Sequence, residues 1–172
     1  MKQLLLLAVI SLFAGACIKK HNANNVTQLP QATQTGANTA GCYINGKLFV
    51  TQNDGLWSGN SVKHQRLIFG SDTTITITLS AENPNRTFSM KLKYSLWNRD
   101  FDLAEDEPFT GLYMESGSGM SGYTNQDHHL KVHLTNYYPT GLCCGTFSGV
   151  LAGSTGEDIV VTEGRFDIAY QP

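Results

Sequence analysis

Charged residues are scarce in this sequence, and the two signs nearly balance. The 172 residues include 12 lysines and arginines and 14 aspartates and glutamates, for a formal net charge of −2. Such a balance provides no electrostatic footprint for nucleic acid, and we expect no nucleic-acid partner.

The motifs of several enzyme classes are missing as well. The sequence has no His-Glu-x-x-His zinc motif, no Walker loop and no dinucleotide-binding fingerprint. The segment from Gly119 to Tyr123 departs from the Gly-x-Ser-x-Gly nucleophile elbow at its last position. The sequence therefore predicts a protein that is not an enzyme and that has no metal and no cofactor.

Helical periodicity is also lacking after position 20, where helix-forming residues are few. The 17 glycines and the many threonines and asparagines favour an all-β class. At this length one domain with a real core is expected.

Strand patterns fill the chain after position 40. Alternation is cleanest from Phe88 to Leu96, where apolar residues occupy every second position, and it recurs from Thr73 to Leu79. Asn45-Gly46 lies between two apolar segments and predicts a hairpin turn. We predict an antiparallel β-sandwich or partly open barrel of about eight to eleven strands.

The segment 145–170 predicts a long terminal hairpin. Its apolar residues recur at every second position, and Gly153 to Gly156 supplies the turn. Glu163-Gly164 interrupts the second strand, and a bulge or tight turn is expected there. The hairpin needs the rest of the chain to cover its apolar face.

The first 16 residues are typical of a secretory signal peptide, with Lys2, an apolar run and small residues before Cys17. Small residues directly before a cysteine resemble the lipobox of bacterial lipoproteins, which implies diacylglyceride attachment at Cys17. Residues 17–40 then predict a lipidated cysteine with a flexible tether, and residues 41–172 a single all-β domain.

The predicted location is the cell envelope, as an outer-membrane lipoprotein. Surface export signals of some Gram-negative lipoproteins contain an acidic run just after the cysteine, and residues 18–21 lack one. This favours a periplasm-facing position, with surface exposure left open.

Two segments resemble a known family. TGANTAGCYINGKLF, from Thr35, and GTFSGVL together with DIVVTEGRFDIAY resemble the opening and closing signatures of uncharacterised lipoproteins common in Bacteroidetes bacteria. The resemblance implies location and fold. The family has no known reaction, so no catalytic residue is implied.

Four cysteines are present, and three remain if Cys17 is lipidated. Neighbouring Cys143 and Cys144 would form a strained ring, and parity places Cys42 and Cys143 inward. We therefore predict a Cys42–Cys143 disulfide, with a Cys144 pairing or three reduced, buried thiols as the alternatives.

Two polar clusters could carry chemistry. His129 and His133 share a strand face but lie about 13 Å apart, too far for one metal ion, and a solvated face is expected. Asp100 to Glu107 is an acidic cluster without EF-hand spacing, and a charged turn between strands is the simpler interpretation.

Four aromatic residues in or near loops are candidates for ligand binding by stacking: Trp57, Trp97, Tyr137 and Tyr138. Packing in the core or at its rim is the alternative for each of them. The sequence thus favours a non-enzymatic envelope lipoprotein that contacts the bilayer through Cys17 and binds an envelope protein or a glycan. The alternatives are a hydrolase that uses the acidic cluster and a lipocalin-like carrier of a small apolar ligand.

Overall fold

A computed structural model describes residues 27–52, 61–69, 72–82, 85–93, 99–104, 111–138 and 141–169. Eleven strands occur in these ranges: β1 (Thr39–Ile44), β2 (Lys47–Gln52), β3 (Ser61–Phe69), β4 (Asp72–Glu82), β5 (Asn85–Lys93), β6 (Asp100–Leu103), β7 (Gly111–Glu115), β8 (Ser121–Tyr123), β9 (Leu130–Tyr137), β10 (Leu142–Gly153) and β11 (Ile159–Ala169). No helix within those ranges has the length and apolar character needed to cross a membrane. The predicted all-β class and strand number are confirmed.

The strands form one antiparallel, nearly closed barrel-like sheet. Its order is β2-β1-β11-β10-β8-β7-β5-β4-β3, and β9 and β6 branch from β10. The long strand β10 makes this branch, because its first residues pair with β9 and its last two pair with β8. Strands β6, β9, β10 and β11 therefore lie side by side.

The two ends of the strand order meet at Thr51. This buried side chain donates hydrogen bonds to the backbone carbonyls of Ser61 and Ser80, which joins β2 to β3 and β4. The apolar faces of the strands fill the inside with one contiguous cluster. Phe147 lies centrally in it, with its ring centroid 5.2 Å from that of Phe88 and 6.2 Å from that of Phe166.

Two local predictions are confirmed. Asn45 and Gly46 both have positive φ, 49° and 73°, as a two-residue hairpin turn requires. Strand β11 contains an extra residue relative to both of its neighbours near Glu163, where φ is 52°. A bulge thus lies in β11 before Gly164, whose missing side chain leaves room for Phe147.

The acidic segment needs a correction. Its first part was expected to be a charged turn, but Asp100–Leu103 forms strand β6, paired with β9. Phe101 and Leu103 are buried while Asp100 and Asp102 face outward, so the four residues alternate as strand residues do. Residues 105–107 of the predicted cluster lie outside the described residues.

The tether boundary needs a correction too. Residues 29–38, which we call the strap, cross the outer face of β1 and β11. Gly36 packs on Ala169 and Leu142, and the Asn38 side chain accepts a hydrogen bond from the Ala169 amide at 2.9 Å. The folded part therefore begins before residue 41, and only residues 17–26 of the predicted tether lie outside the described part.

Candidate binding groove

A groove of about 640 Å³ crosses the outer face of β6, β9, β10 and β11. We call it the outer groove. Outward side chains of all four strands line it, together with Ala32 of the strap. Because these strands alternate regularly, their apolar residues enter the core and their polar residues form this surface.

Strand register brings the polar side chains of the outer groove into two rows. In the first row, His133 of β9 lies between Asp100 of β6 and Thr146 of β10, and Arg165 of β11 follows Thr146. Residues directly opposite each other on antiparallel strands lie about 4.5–5.5 Å apart, so each side chain reaches the next.

The second row lies two residues along. It consists of Asp102 on β6, Lys131 on β9 and Ser148 on β10, and the β11 bulge at Glu163 ends it. Glu163 is a non-glycine residue with positive φ. Backbone strain of this kind is concentrated at functional sites, so Glu163 supports a functional role for this end of the outer groove.

Each carboxylate in the outer groove already has a partner. Asp100 Oδ1 lies 2.7 Å from His133 Nδ1, and Asp102 Oδ1 lies 2.8 Å from His129 Nδ1. Glu163 Oε2 accepts a hydrogen bond from Arg165 at 3.5 Å. The His133 and Asp100 side chains are 49% and 83% exposed, so this pair contributes at most about 1 kcal/mol to stability.

Arg165 is fixed from two further directions. Its Nε donates to the Glu163 carbonyl at 3.3 Å, and its Nη1 donates to the Pro30 carbonyl of the strap at 3.4 Å. The guanidinium therefore lies at the junction of the bulge and the strap.

Other polar groups of the outer groove remain open. Among the described residues, the Lys131 ammonium and the hydroxyls of Thr146 and Ser148 have no hydrogen-bond or ion-pair partner, although all three side chains are exposed. The groove thus presents an ammonium and two hydroxyls beside three carboxylates.

Two hydrogen-bond acceptors shift the pKa of His129. The Gln126 carbonyl, 2.7 Å from Nε2, and then Asp102 raise the pKa of His129 above its ordinary value. Because its pKa is higher in the folded protein, protonated His129 stabilises the fold. This contribution is fully present at pH values below the unfolded-state pKa of about 6.5, and it is lost as the pH rises through the folded-state pKa.

We expect Asp102→Asn to lower the pKa of His129, because the second acceptor loses its charge while the Gln126 carbonyl remains. The imidazole proton shift followed by NMR from pH 5 to 9 measures this. Asp158→Asn is the matched control, since Asp158 contacts His128 instead. An unchanged His129 titration in Asp102→Asn would contradict the assignment.

A buried carboxylate holds the strap on the sheet. Asp167 of β11 faces outward, yet the strap covers it and leaves the residue 2% exposed. Four hydrogen bonds reach it from the strap: from Thr33 Oγ1 at 2.5 Å, from the Thr35 amide and hydroxyl at 3.1 and 3.3 Å, and from the Gly36 amide at 2.8 Å.

The Cys144 thiol on β10 donates a fifth hydrogen bond to Asp167, with a sulfur–oxygen distance of 3.0 Å. Burial acts to raise the pKa of Asp167, but the hydrogen bonds that it accepts outweigh burial and hold that pKa well below its usual range. Asp167 therefore stays charged and binds the strap, which lines one side of the outer groove, to strands β10 and β11.

The predicted disulfide between Cys42 and Cys143 is not formed. Both thiols are free and buried, as is that of Cys144, which matches the alternative of reduced cysteines. Cys143 lies opposite Ile168, whereas Cys42 lies at the bulge near Gly164, about 13 Å farther along β11 at about 3.3 Å per residue. A disulfide needs Cα atoms within about 7 Å.

Burial makes these thiols unreactive. It is the largest cause that raises the pKa of Cys42 and of Cys144 to about 12, and it raises the pKa of Cys143 as well. A thiol with such a pKa stays protonated at neutral pH and is a weak nucleophile.

Of the four aromatic candidates, the structure describes Tyr137 and Tyr138, and neither of these two lines the outer groove. Trp57 and Trp97 lie outside the described residues. Tyr137 is 5% exposed and packs in the core, so it is not an exposed stacking platform. Tyr138 is 62% exposed after the end of β9 and does not line the outer groove.

The three clustered histidines bond to three different aspartates: His128 to Asp158, His129 to Asp102 and His133 to Asp100. Within the described ranges, no group of three or more histidine, cysteine, aspartate or glutamate side chains is placed to hold a metal ion. No protein-family model, curated protein or solved structure matches the chain.

Proposed function

We propose that this protein is a non-enzymatic lipoprotein of the cell envelope, held on the bilayer by an acylated Cys17, and that its outer groove binds an envelope partner. The observation that carries the binding role is the groove itself. Its volume lies within the range of about 300–1,000 Å³ common for ligand sites, and it contains fixed polar groups beside open donors.

The strap supports a binding role for the outer groove. Ala32 lines the outer groove, while Thr33 and Gly36 are bound to Asp167. The segment that leads from the proposed anchor is thus also a wall of the groove. A wall fixed by a buried charge keeps the groove in one shape, which lowers the entropy cost of binding.

The two alternative functions draw less support. A carrier of an apolar ligand needs an open interior, whereas the inside of the sheet is filled by the core cluster that includes Phe49, Phe88 and Phe147. A hydrolase would use the carboxylates of β6, but Asp100 and Asp102 are exposed and each is bonded to a histidine.

Site-specific photo-crosslinking in the native bacterium tests the proposal. A photoreactive residue at Ser148 in the outer groove should give a crosslink to one defined partner, which mass spectrometry identifies. The same residue at Thr76, which faces outward on β4, should not give that product. Palmitate labelling should mark the protein and should disappear in Cys17→Ser.

Identical products from Ser148 and Thr76, or no product from Ser148, would remove the binding role of the outer groove. An unlabelled wild-type protein would remove the anchor. The two parts of the proposal therefore fail separately.

A further inference from the structure

The outward side chains of β3, β4, β5, β7 and β8 lie on the side of the barrel away from the outer groove, and we call this side the basic face. Three exposed lysines lie on it: Lys63 on β3, and Lys91 and Lys93 on β5. Among the outward side chains that the structure describes on these strands, the one carboxylate is that of Glu82 at the end of β4. The outer groove has the opposite balance, with three carboxylates against one lysine and one arginine.

Exposed apolar side chains adjoin these lysines. Leu112 on β7 and Tyr123 on β8 are directly opposite each other, and Met114 lies two residues from Leu112 on the same face. Ser89 is opposite Leu112 and two residues from Lys91, so the apolar and basic parts are continuous. Met114 and Tyr123 are 47% and 38% exposed, and exposed apolar patches are typical of surfaces that contact a protein or a membrane.

The strap leads the chain toward the basic face. Gly36, near its end, packs on Ala169 of β11, whereas Leu29, at its start, lies against Gly41 of β1, the neighbour of β2. Thr51 in turn joins β2 to β3 and β4. The start of the strap, which is its end nearer to the proposed anchor, therefore lies on the side of the barrel where the basic face begins.

From the lysines, the exposed apolar side chains and the course of the strap, we propose that the basic face rests on an anionic bilayer. Its lysines lie among the lipid phosphates, Met114 and Tyr123 enter the interface, and the outer groove points away from the membrane. Thr27 is ten residues after Cys17, and ten extended residues reach at most about 36 Å, so an acylated Cys17 can insert while the face makes contact.

A bilayer fits the basic face better than an acidic protein does. A few exposed lysines bind a free partner weakly, but the proposed anchor holds the bilayer within reach and so raises its effective concentration. Lipid anchors also commonly act together with a basic patch. Tyr123 is suited to an interface, because its ring is apolar and its hydroxyl is polar. Glu82 lies at the rim of the face, where its carboxylate stays in water.

Methionine-methyl NMR of the full-length acylated protein in nanodiscs tests the inference. The nanodiscs contain phosphatidylcholine with or without phosphatidylglycerol, and a lipid whose headgroup carries gadolinium. With phosphatidylglycerol present, gadolinium should relax the Met114 methyl more strongly than the methyl of a Ser148→Met variant, which reports on the outer groove. Without phosphatidylglycerol this difference should shrink.

Lys93→Gln should lower the ratio of docked to undocked protein about fivefold, the effect of one lysine near an anionic surface. The relaxation of the Met114 methyl measures this ratio. Arg99→Gln is the matched control, because Arg99 is an exposed cation directly before β6 and should leave the ratio unchanged. Equal effects of the two variants, equal relaxation of the two methyls, or no dependence on phosphatidylglycerol would overturn the inference.

The inference goes beyond the proposed groove and uses only the proposed location at the envelope. Protection of Met114 from peroxide in cells, without relaxation in nanodiscs, would overturn the bilayer contact and assign the face to a protein. An acylated protein without that relaxation keeps its anchor and loses only this inference. If the protein is not acylated, its sedimentation with phosphatidylglycerol vesicles decides, and no preference over phosphatidylcholine vesicles would overturn the inference.

Discussion

Asp167→Asn should destabilise the protein by about 2–4 kcal/mol and release the strap. The substitution keeps the size of the side chain but replaces a charged acceptor of five hydrogen bonds by a neutral amide. Hydrogen bonds to charged groups contribute about 1.5–3 kcal/mol, and donors left unpaired in a buried site add a desolvation cost. Urea unfolding measures the loss of free energy.

The loss of stability caused by Asp167→Asn should become smaller at low pH. The folded-state pKa of Asp167 is depressed, so its contribution is complete above the unfolded-state value of about 3.9 and is lost as pH falls through the folded-state value. The stability difference between wild type and Asp167→Asn should therefore be constant from pH 5 to 8 and should narrow toward pH 2.

Hydrogen exchange provides the local readout, since the Thr35 and Gly36 amides donate directly to Asp167. Both amides should lose protection in the variant. Asp127→Asn is a suitable control, because this exposed aspartate lies in the turn before β9 and does not contact the strap. Equal stability of wild type and Asp167→Asn, with protected strap amides, would refute the role of Asp167 in holding the strap on the sheet.

Phe147→Ala should lower the free energy of unfolding by about 3–5 kcal/mol, the usual cost of truncating a buried aromatic residue. The ring is 2% exposed and contacts Phe88 on β5 and Phe166 on β11, so its loss leaves a cavity between strands on opposite sides of the barrel. For a chain of this size we expect the Tm to fall by about 6–20 °C, at roughly 2–4 °C per kcal/mol.

The neighbouring exposed residue is the control for Phe147. Thr146→Ala removes a side chain from the same strand but from its outer face, and such surface changes usually stay within about 0.5 kcal/mol. Phe147→Leu should lie between the two. A Phe147→Ala protein as stable as Thr146→Ala would show that the core does not depend on this ring.

The strands that the sequence predicted well are those with one buried face and a clear turn. Asn45-Gly46 has the positive φ values that its chemistry favours, and the alternation from Phe88 becomes β5. The bulge at Glu163-Gly164 was predictable because a glycine interrupts an otherwise regular strand. These features are local, so the residues that determine them lie next to each other in the chain.

The remaining features depend on contacts between distant residues. Strand β6 has two apolar residues among acidic ones, and its charge concealed an alternation that becomes stable only beside β9. The disulfide prediction used parity, which gives the face of a strand correctly but not the distance along it. Cys42 and Cys143 both point into the core, but they lie opposite different residues along β11.

The buried pair of Asp167 and the strap left one signal in the sequence. Thr35 and Gly36 belong to the segment that begins at Thr35 and ends at Phe49, and Asp167 belongs to the segment 158–170, the two segments that the sequence analysis singled out at the ends of the domain. These two segments meet in the fold through the hydrogen bonds to Asp167. Nothing in composition or periodicity predicts that contact, because residues 33–36 have no apolar repeat.

Carboxylate footprinting of living cells is the most direct measurement of whether the outer groove is where this protein contacts its partner. Carbodiimide labelling is compared between the protein in the native envelope and the purified protein, residue by residue. The groove carboxylates Asp100, Asp102 and Glu163 should be labelled less in cells, relative to Glu82 and Asp158 outside the groove. The same cell-to-purified ratio at all five positions would contradict the binding role of the outer groove.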